Sequence, residues 1–292
     1  MAFIPQRAVS FAAMLRKMAF GVYLLAMPLA LLSAPLHAEE AEHSVVFLPH
    51  KALYRVSLAS SRSLNQLASV DGQMLFEWGS SCDGWTTDQK FTLNYLYADG
   101  QEMKLRSNYS AWESKAGDAY NFTVRRYRNG TLAEEFRGNA HKGKKGTSFA
   151  QYTKPEEKKI PLPDDAYFPV AHTKALLSLH NNDAPFFSAM LFDGSDGEPA
   201  SEVNAAVGPF KPLEELPLDN ELLKTPARKV RMAFYPSVNG TRIAQDEESS
   251  PDYEITLMLH QNGVVSSLRI DYGDYSLDGK LEALDVVAEP HC

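Results

Sequence analysis

From about residue 50 onward the chain alternates apolar and polar residues with a period of two, punctuated by short turn sequences. That period is the mark of strands with one buried and one solvated face. In residues 51–58, Ala52, Tyr54, Val56 and Leu58 fall on one side and Lys51, Arg55 and Ser57 on the other, with Leu53 the exception. Met74, Phe76 and Trp78 alternate with Gln73 and Glu77. Residues 85–97 predict a long strand in which Trp85, Phe91, Leu93, Tyr95 and Tyr97 share a face opposite Thr86, Asp88, Lys90, Thr92 and Asn94. Asp99-Gly100 turns this strand into residues 103–112. Asn129-Gly130 joins 120–128 to 131–137 as a two-residue hairpin, and Asn262-Gly263 joins 253–261 to 264–272. A strand over 229–235 leads into an Asn239-Gly240 turn, and Asp278-Gly279 is expected to turn into a last strand, 280–287.

One helix interrupts the strands. Pro161-Leu162-Pro163 bars helix before it, Pro169 suits a first helical turn, and Asn181-Asn182-Asp183 stops it. Over residues 170–180, Val170, Leu177 and either Thr173 or Lys174 make the apolar stripe. Residues 193–228 are rich in Pro and acidic residues and are expected to be a long surface crossing. Many meandering strands with one helix predict an all-β barrel, sandwich or curled sheet. There is no internal repeat and no low-complexity tract.

The amino-terminal segment changes the picture. Arg7, Arg16 and Lys17 flank an apolar run from Met18 to Leu32, which ends in Ser33-Ala34-Pro35-Leu36-His37-Ala38 before Glu39-Glu40. Basic flank, apolar middle and small terminal residue predict a secretory signal peptide over residues 1–38, cut after Ala38. The alternative, a retained anchor, would need roughly 20 apolar residues, more than the run supplies. Cleavage leaves a single expected domain, residues 39–292. Its 26 basic residues, three fewer than the chain's 29, face 37 acidic ones, a net charge of −11. Such a surface repels phosphate backbones, which argues against nucleic acid as a partner. Cys82 and Cys292 are the two cysteines. In an oxidising compartment they are expected to form one structural bridge. Free thiols and a catalytic Cys82 are the alternatives, the second opposed by the adjacent Asp83.

No chemistry-bearing motif stands out. His172 and His180 are eight residues apart on the predicted helix, too far to share a metal, and no zinc-type spacing is present. No cofactor is implied. There is no Gly-x-Ser-x-Gly elbow, and Phe192-Asp193-Gly194-Ser195 reads as a polar turn. The acidic runs Asp164-Asp165, Glu214-Glu215 and Asp246-Glu247-Glu248 read as solvated loops, not as a glycosidase pair. Lys142, Lys144 and Lys145 sit among glycines, as in a solvated loop, with anionic headgroups or phosphate sugars as the other possibility. Of four Asn-x-Ser/Thr sequons, at Asn108, Asn121, Asn129 and Asn239, turn chemistry explains the last two. The aromatics and methionines are more telling. Trp78, Trp85, Phe91, Leu93, Tyr95 and Met103 lie on neighbouring predicted strands, with Leu177 on the helix. If the sheet curls, these seven would line an apolar groove suited to an acyl chain, or fill an ordinary core.

Taken in order, several segments resemble the cell-envelope integrity protein EipB family of Gram-negative periplasms. They are His50-Lys51-Ala52-Leu53-Tyr54, Cys82-Asp83-Gly84-Trp85, Phe168-Pro169-Val170-Ala171-His172-Thr173 and Leu191-Phe192-Asp193-Gly194-Ser195. Pro251-Asp252-Tyr253-Glu254, Asn262-Gly263-Val264, Asp271-Tyr272-Gly273-Asp274-Tyr275 and the terminal Cys292 continue the series across residues 45–292. The resemblance implies a β-spiral, a long antiparallel sheet wound into an open barrel with a short helix in its concave side. That shape is similar to the periplasmic lipoprotein carriers LolA and LolB. It also implies a Cys82–Cys292 disulfide and brings no catalytic residues. The expectation is a non-enzymatic periplasmic protein without a stable membrane span. Its groove would take a lipid, an acylated segment or lipoprotein, or an envelope partner. A pure protein–protein scaffold and a secreted hydrolase are the other classes.

Overall fold

The computed structural model describes residues 47–62, 67–181, 185–237, 250–290 and 292. The predicted leader and the Asn239-Gly240 turn lie outside the described residues. The first half of the chain forms β1 (His50–Ser61), β2 (Leu67–Ser80), β3 (Gly84–Tyr97), β4 (Glu102–Ser114), β5 (Ala119–Arg128), β6 (Thr131–His141), β7 (Phe149–Lys154) and β8 (Lys158–Pro161). Helix α1 (Pro169–Ser178) follows, then β9 (Phe186–Leu191), β10 (Ser201–Val207), a 3-10 turn at Glu221–Leu223, β11 (Ala227–Tyr235), β12 (Tyr253–His260), β13 (Val265–Asp271) and β14 (Tyr275–Val286).

Among the described residues, 14 strands join one antiparallel sheet in the order β8-β7-β6-β5-β4-β3-β2-β1-β14-β13-β12-β11-β10-β9. The chain runs from the middle of the sheet to one edge, crosses through α1 to the other edge, and meanders back until β14 pairs with β1. The two edges do not pair as strands. The Tyr167 peptide reaches across instead. Its N–H donates to Met190 O (2.7 Å) and its carbonyl accepts from Phe192 N (3.0 Å). This covers one end of an edge strand, where exposed backbone groups would otherwise invite unwanted pairing. The sheet is therefore wound and open.

The alternation marks the inward face correctly. Ala52, Tyr54 and Val56 are buried while Lys51 and Arg55 are exposed. The interior holds three packed clusters. One joins α1 to Phe47, Trp78 and β10–β12. A second lies over β1–β3 and β14. The third joins Tyr120, Phe122, Tyr152 and Phe168 to Phe192, across the approach of the two edges.

Several expectations change. Asp278-Gly279 is not a turn. Both residues lie inside β14, where Gly279 pairs with Val56 and Leu268. A side chain at 279 would meet Leu268 Cγ at 2.7 Å, so the glycine serves close packing. The reversal falls at Gly273, which takes a φ of 84° that favours glycine. Asn129-Gly130 does adopt left-handed angles at both residues, as the two-residue hairpin needs (φ 51° and 84°). At Asn262-Gly263 the hairpin closes differently, with Gly263 N donating to His260 O and His260 N to Val264 O around three loop residues. The 193–228 crossing contains a strand, β10, paired on both sides. Helix α1 buries Val170, His172, Leu176 and Leu177, a wider face than the predicted stripe, because sheet surrounds it. Lys142 is half-buried, with its ammonium donating to Ala166 O (2.9 Å). Lys144 and Lys145 are exposed.

Candidate functional site

The concave side is organised around α1, and the helix is held at both ends by distant charges. Four N–H groups at a helix start lack partners within the helix. Phe168, at the cap position, offers no side-chain acceptor. The carboxylate of Glu113 on β4 takes that place, accepting from Val170 N (2.7 Å) and Ala171 N (2.8 Å). At the other end Arg228 of β11 donates from Nη1 to Leu176 O (2.8 Å) and from Nη2 to Asn181 Oδ1 (3.3 Å). A carboxylate at the amino end and a guanidinium at the carboxyl end match the helix dipole. Burial pushes the Glu113 carboxyl up to about 7, against the pull of the two amides and of Lys174 and Lys142. His172 packs against the rings of Tyr167 and Phe187, and burial lowers it to about 4, so it is neutral at physiological pH.

Neither Glu113 nor Arg228 was singled out from the sequence, although a signal existed. Leu105, Tyr109, Ala111 and Glu113 share strand parity, as do Arg228, Val230, Met232 and Phe234. Each run places a charge on an apolar face, where a charge needs a partner.

The seven groove candidates divide between two clusters. Trp78 and Leu177 are buried together at α1, and half-buried Trp85 packs against them. Leu93 and Tyr95 are buried in the second cluster, with Phe91 and Met103 packed on it. Phe47, Trp78 and Trp85 form an aromatic box, with ring centroids 4.5 Å (Phe47–Trp78), 5.7 Å (Phe47–Trp85) and 6.1 Å (Trp78–Trp85) apart.

A depression of about 450 Å³ lies elsewhere, along β11–β14. Pro217, Leu257, Met258, Leu268 and Gly279 line it, with Lys229, Arg269 and Lys280 among the polar residues around it. None of the seven candidates lines it. Arg269 is held there by two hydrogen bonds to Asp278. Among the described residues no group of three His, Cys, Asp or Glu side chains is placed to hold a metal ion. No helix among them is long and apolar enough to cross a membrane.

Phe192-Asp193-Gly194-Ser195 forms a turn against β4 and β5. The Asp193 carbonyl accepts from Tyr120 Oη (3.2 Å) and the Asp193 carboxylate from Ser195 N (2.9 Å). A side chain at Gly194 would strike the Phe122 ring at 2.6 Å. Cys82 and Cys292 are joined by a disulfide, with Cα atoms 5.6 Å apart. Beside it, Gly84 lets the Trp112 indole approach to where a Cβ would be 2.3 Å away.

A solved structure of a β-barrel-like protein of a domain of unknown function from Brucella abortus superposes with a TM-score of 0.76 at 24% identity. The match covers 84% of this chain and 100% of that one. The cell envelope integrity protein EipB of Brucella abortus (strain 2308) is 26% identical over 253 residues, covering 85% of this chain and 88% of its own length. The model of the EipB-like family matches residues 41–288. An open antiparallel sheet wound around one helix, matched over nearly its whole length, makes this chain a member of the EipB-like family.

Proposed function

We propose that this protein is exported to the periplasm and supports the integrity of the cell envelope without catalysis, by holding a lipid or an acylated protein segment in an apolar recess. The similarity to a cell envelope integrity protein supports the envelope role. The observation that carries the ligand is the 450 Å³ depression along β11–β14. Its volume falls in the range of small-molecule sites, about 300–1,000 Å³. Leu257, Met258, Leu268 and Pro217 supply apolar surface, and Lys229 and Lys280 supply positive charge for an anionic head. Each buried methylene of an acyl chain contributes about 0.8 kcal/mol. A groove between α1 and Trp78, Trp85 and Leu177 would require the clamped helix to shift, whereas the depression needs no such movement.

Mass spectrometry of small molecules co-purifying with the mature protein tests this, followed by titration of the delipidated protein with palmitate. We expect bound lipid, and at least about tenfold weaker palmitate binding in Leu257→Trp, which fills the depression. No co-purified lipid together with no palmitate binding would overturn the ligand reading. An envelope scaffold docking through the sheet edges would then take its place, with Phe186 of β9 exposed at one of them.

A further inference from the structure

The outward face of β3 to β6 carries a charge pattern that neither the helix clamp nor the depression uses. Register sets the side chains of one parity in rows across this face. Lys90, Asn108, Arg125 and Glu135 form one row, and Thr92, Arg106, Tyr127 and Leu132 the next. Lys104 follows Arg106 on β4, opposite Asn94. Arg137 closes the row of Asp88, Ser110 and Thr123 on the other flank. Five cations, Lys90, Lys104, Arg106, Arg125 and Arg137, thus share the face with three anions, Asp88, Glu102 and Glu135. Five less three is +2, against −8 for the whole chain. All five cations are exposed. Among the described residues only Arg125 of the five is ion-paired, to Glu135 at 2.8 Å. Arg106 lies 4.1 Å from the centre of the Tyr127 ring, and Asp88 accepts from the Ser110 hydroxyl. Like charges on neighbouring strands repel, so the cluster of Lys90, Lys104, Arg106 and Arg125 lacks counter-charge within the molecule. Two large apolar side chains lie on the same face, Leu96 at 37% and Leu132 at 47% exposure.

We propose that the outward face of β3 to β6 docks on the surface of an anionic lipid bilayer. The complement of a cationic face is an anionic surface, and an acidic chain is repelled by that surface in most other orientations. The cations therefore set which side of the molecule approaches. Lys90, Lys104, Arg106 and Arg125 span four neighbouring strands, an extended footprint that suits many headgroups at once. The exposed leucines select a bilayer over a soluble polyanion. Charge brings the face to the headgroups, and Leu96 and Leu132 then enter the apolar boundary beneath them. Arg106 stacked on Tyr127 places an aromatic ring at the same level, where amphipathic rings are favoured. The face shares no residue with the β11–β14 depression, so this docking goes beyond the acyl-chain reading and does not rest on it.

The test is flotation of the purified mature protein with vesicles of equal parts phosphatidylglycerol and phosphatidylcholine, and with vesicles of phosphatidylcholine alone. Binding to the first, weakened by added salt, is expected, with none to the second. Lys90→Gln with Lys104→Gln and Arg106→Gln should weaken binding by at least about tenfold, since each basic residue near such a surface contributes about fivefold. Lys144→Gln with Lys145→Gln and Lys211→Gln makes the same change of charge away from this face and should leave binding unchanged. Leu132→Ser should weaken binding at low and high salt alike, because the apolar share is not screened. Matching urea midpoints check that the variants fold. Palmitate binding should be the same in the first triple variant as in the native protein, which separates the docking from the acyl-chain reading. Amine acetylation of the unmodified protein reads the face without a variant, with anionic vesicles protecting Lys90 and Lys104 but not Lys211. No binding to the anionic vesicles, binding undiminished in the first triple variant, or no protection of Lys90 and Lys104 would overturn the proposal. Binding of polyglutamate in place of the vesicles would assign the face to an acidic protein and overturn it too.

Discussion

Glu113, which accepts from the first turn of α1, and His172, which lies on that turn, have pKa values shifted by burial in opposite directions. Glu113 is raised to about 7 in the folded protein, above its ordinary 4.5. Its contribution to stability is fully present below pH 4.5 and is lost as pH rises through 7. His172 is lowered to about 4, below its ordinary 6.5. Its contribution is present above pH 6.5 and is lost as pH falls through 4. Each shift corresponds to about 3 kcal/mol between its two limits. The slopes therefore oppose one another from about pH 4.5 to 6.5, and each masks the other in the native protein. Removing one should reveal its neighbour. Urea midpoints measured from pH 4 to 7.5 should rise more steeply with pH in Glu113→Gln than in the native protein. In His172→Phe they should fall with pH relative to the native protein. Curves parallel to the native one in both variants would show that these groups do not titrate with folding.

At the scale of elements, packing between neighbouring strands sets what each position tolerates. Gly72 of β2 pairs with Leu93 of β3, and a Cβ there would sit 2.0 Å from the Thr92 carbonyl oxygen. Backbone, not a flexible side chain, would have to move. Gly72→Ala is therefore expected to lower stability by about 3 kcal/mol in urea unfolding, and an unchanged midpoint would contradict the close approach. The long strands were legible for the reason that fixes their register. Ala52, Tyr54 and Val56, or Met74 and Trp78, bury one parity over many residues. The short strands β7 to β10 were not. β10 places Glu202 and Val203 side by side in the interior, and β9 carries exposed Phe186, so neither shows a clean period of two. Gly279 misled because a glycine after aspartate suits a turn, while here it makes room for Leu268. At the candidate site, the aromatic residues were visible from their alternation. The Glu113–α1–Arg228 clamp was not, because its contacts span 57 and 52 residues of chain.

The whole molecule is joined along the pairing of its last strand with its first. β14 is flanked by β1 and β13 and lies inside the sheet, so the two meanders meet there. The tail after Val286 then crosses the start of β1, with Val287 N donating to Pro49 O (3.0 Å), and reaches the β2–β3 turn at Cys82. The bridge spans 210 residues of sequence, for which the chain-entropy model gives about 5 kcal/mol as an upper figure. That contribution acts on the unfolded chain, so reduction should lower the melting temperature, by as much as about 10 °C for a protein of this size. The native sheet should change little. β14 keeps ladders on both sides after reduction, and only the exposed residues beyond it lose their anchor. Carboxypeptidase acting on the reduced, folded protein should therefore trim the tail and stop near Val286, while the oxidised protein keeps it tethered. Cys82→Ser with Cys292→Ser should behave as the reduced form does. Rapid loss of β14 itself under native conditions would mean that the disulfide, and not the pairing with β1, holds the two halves of the sheet together. An unchanged melting temperature would mean that the bridge contributes little to either.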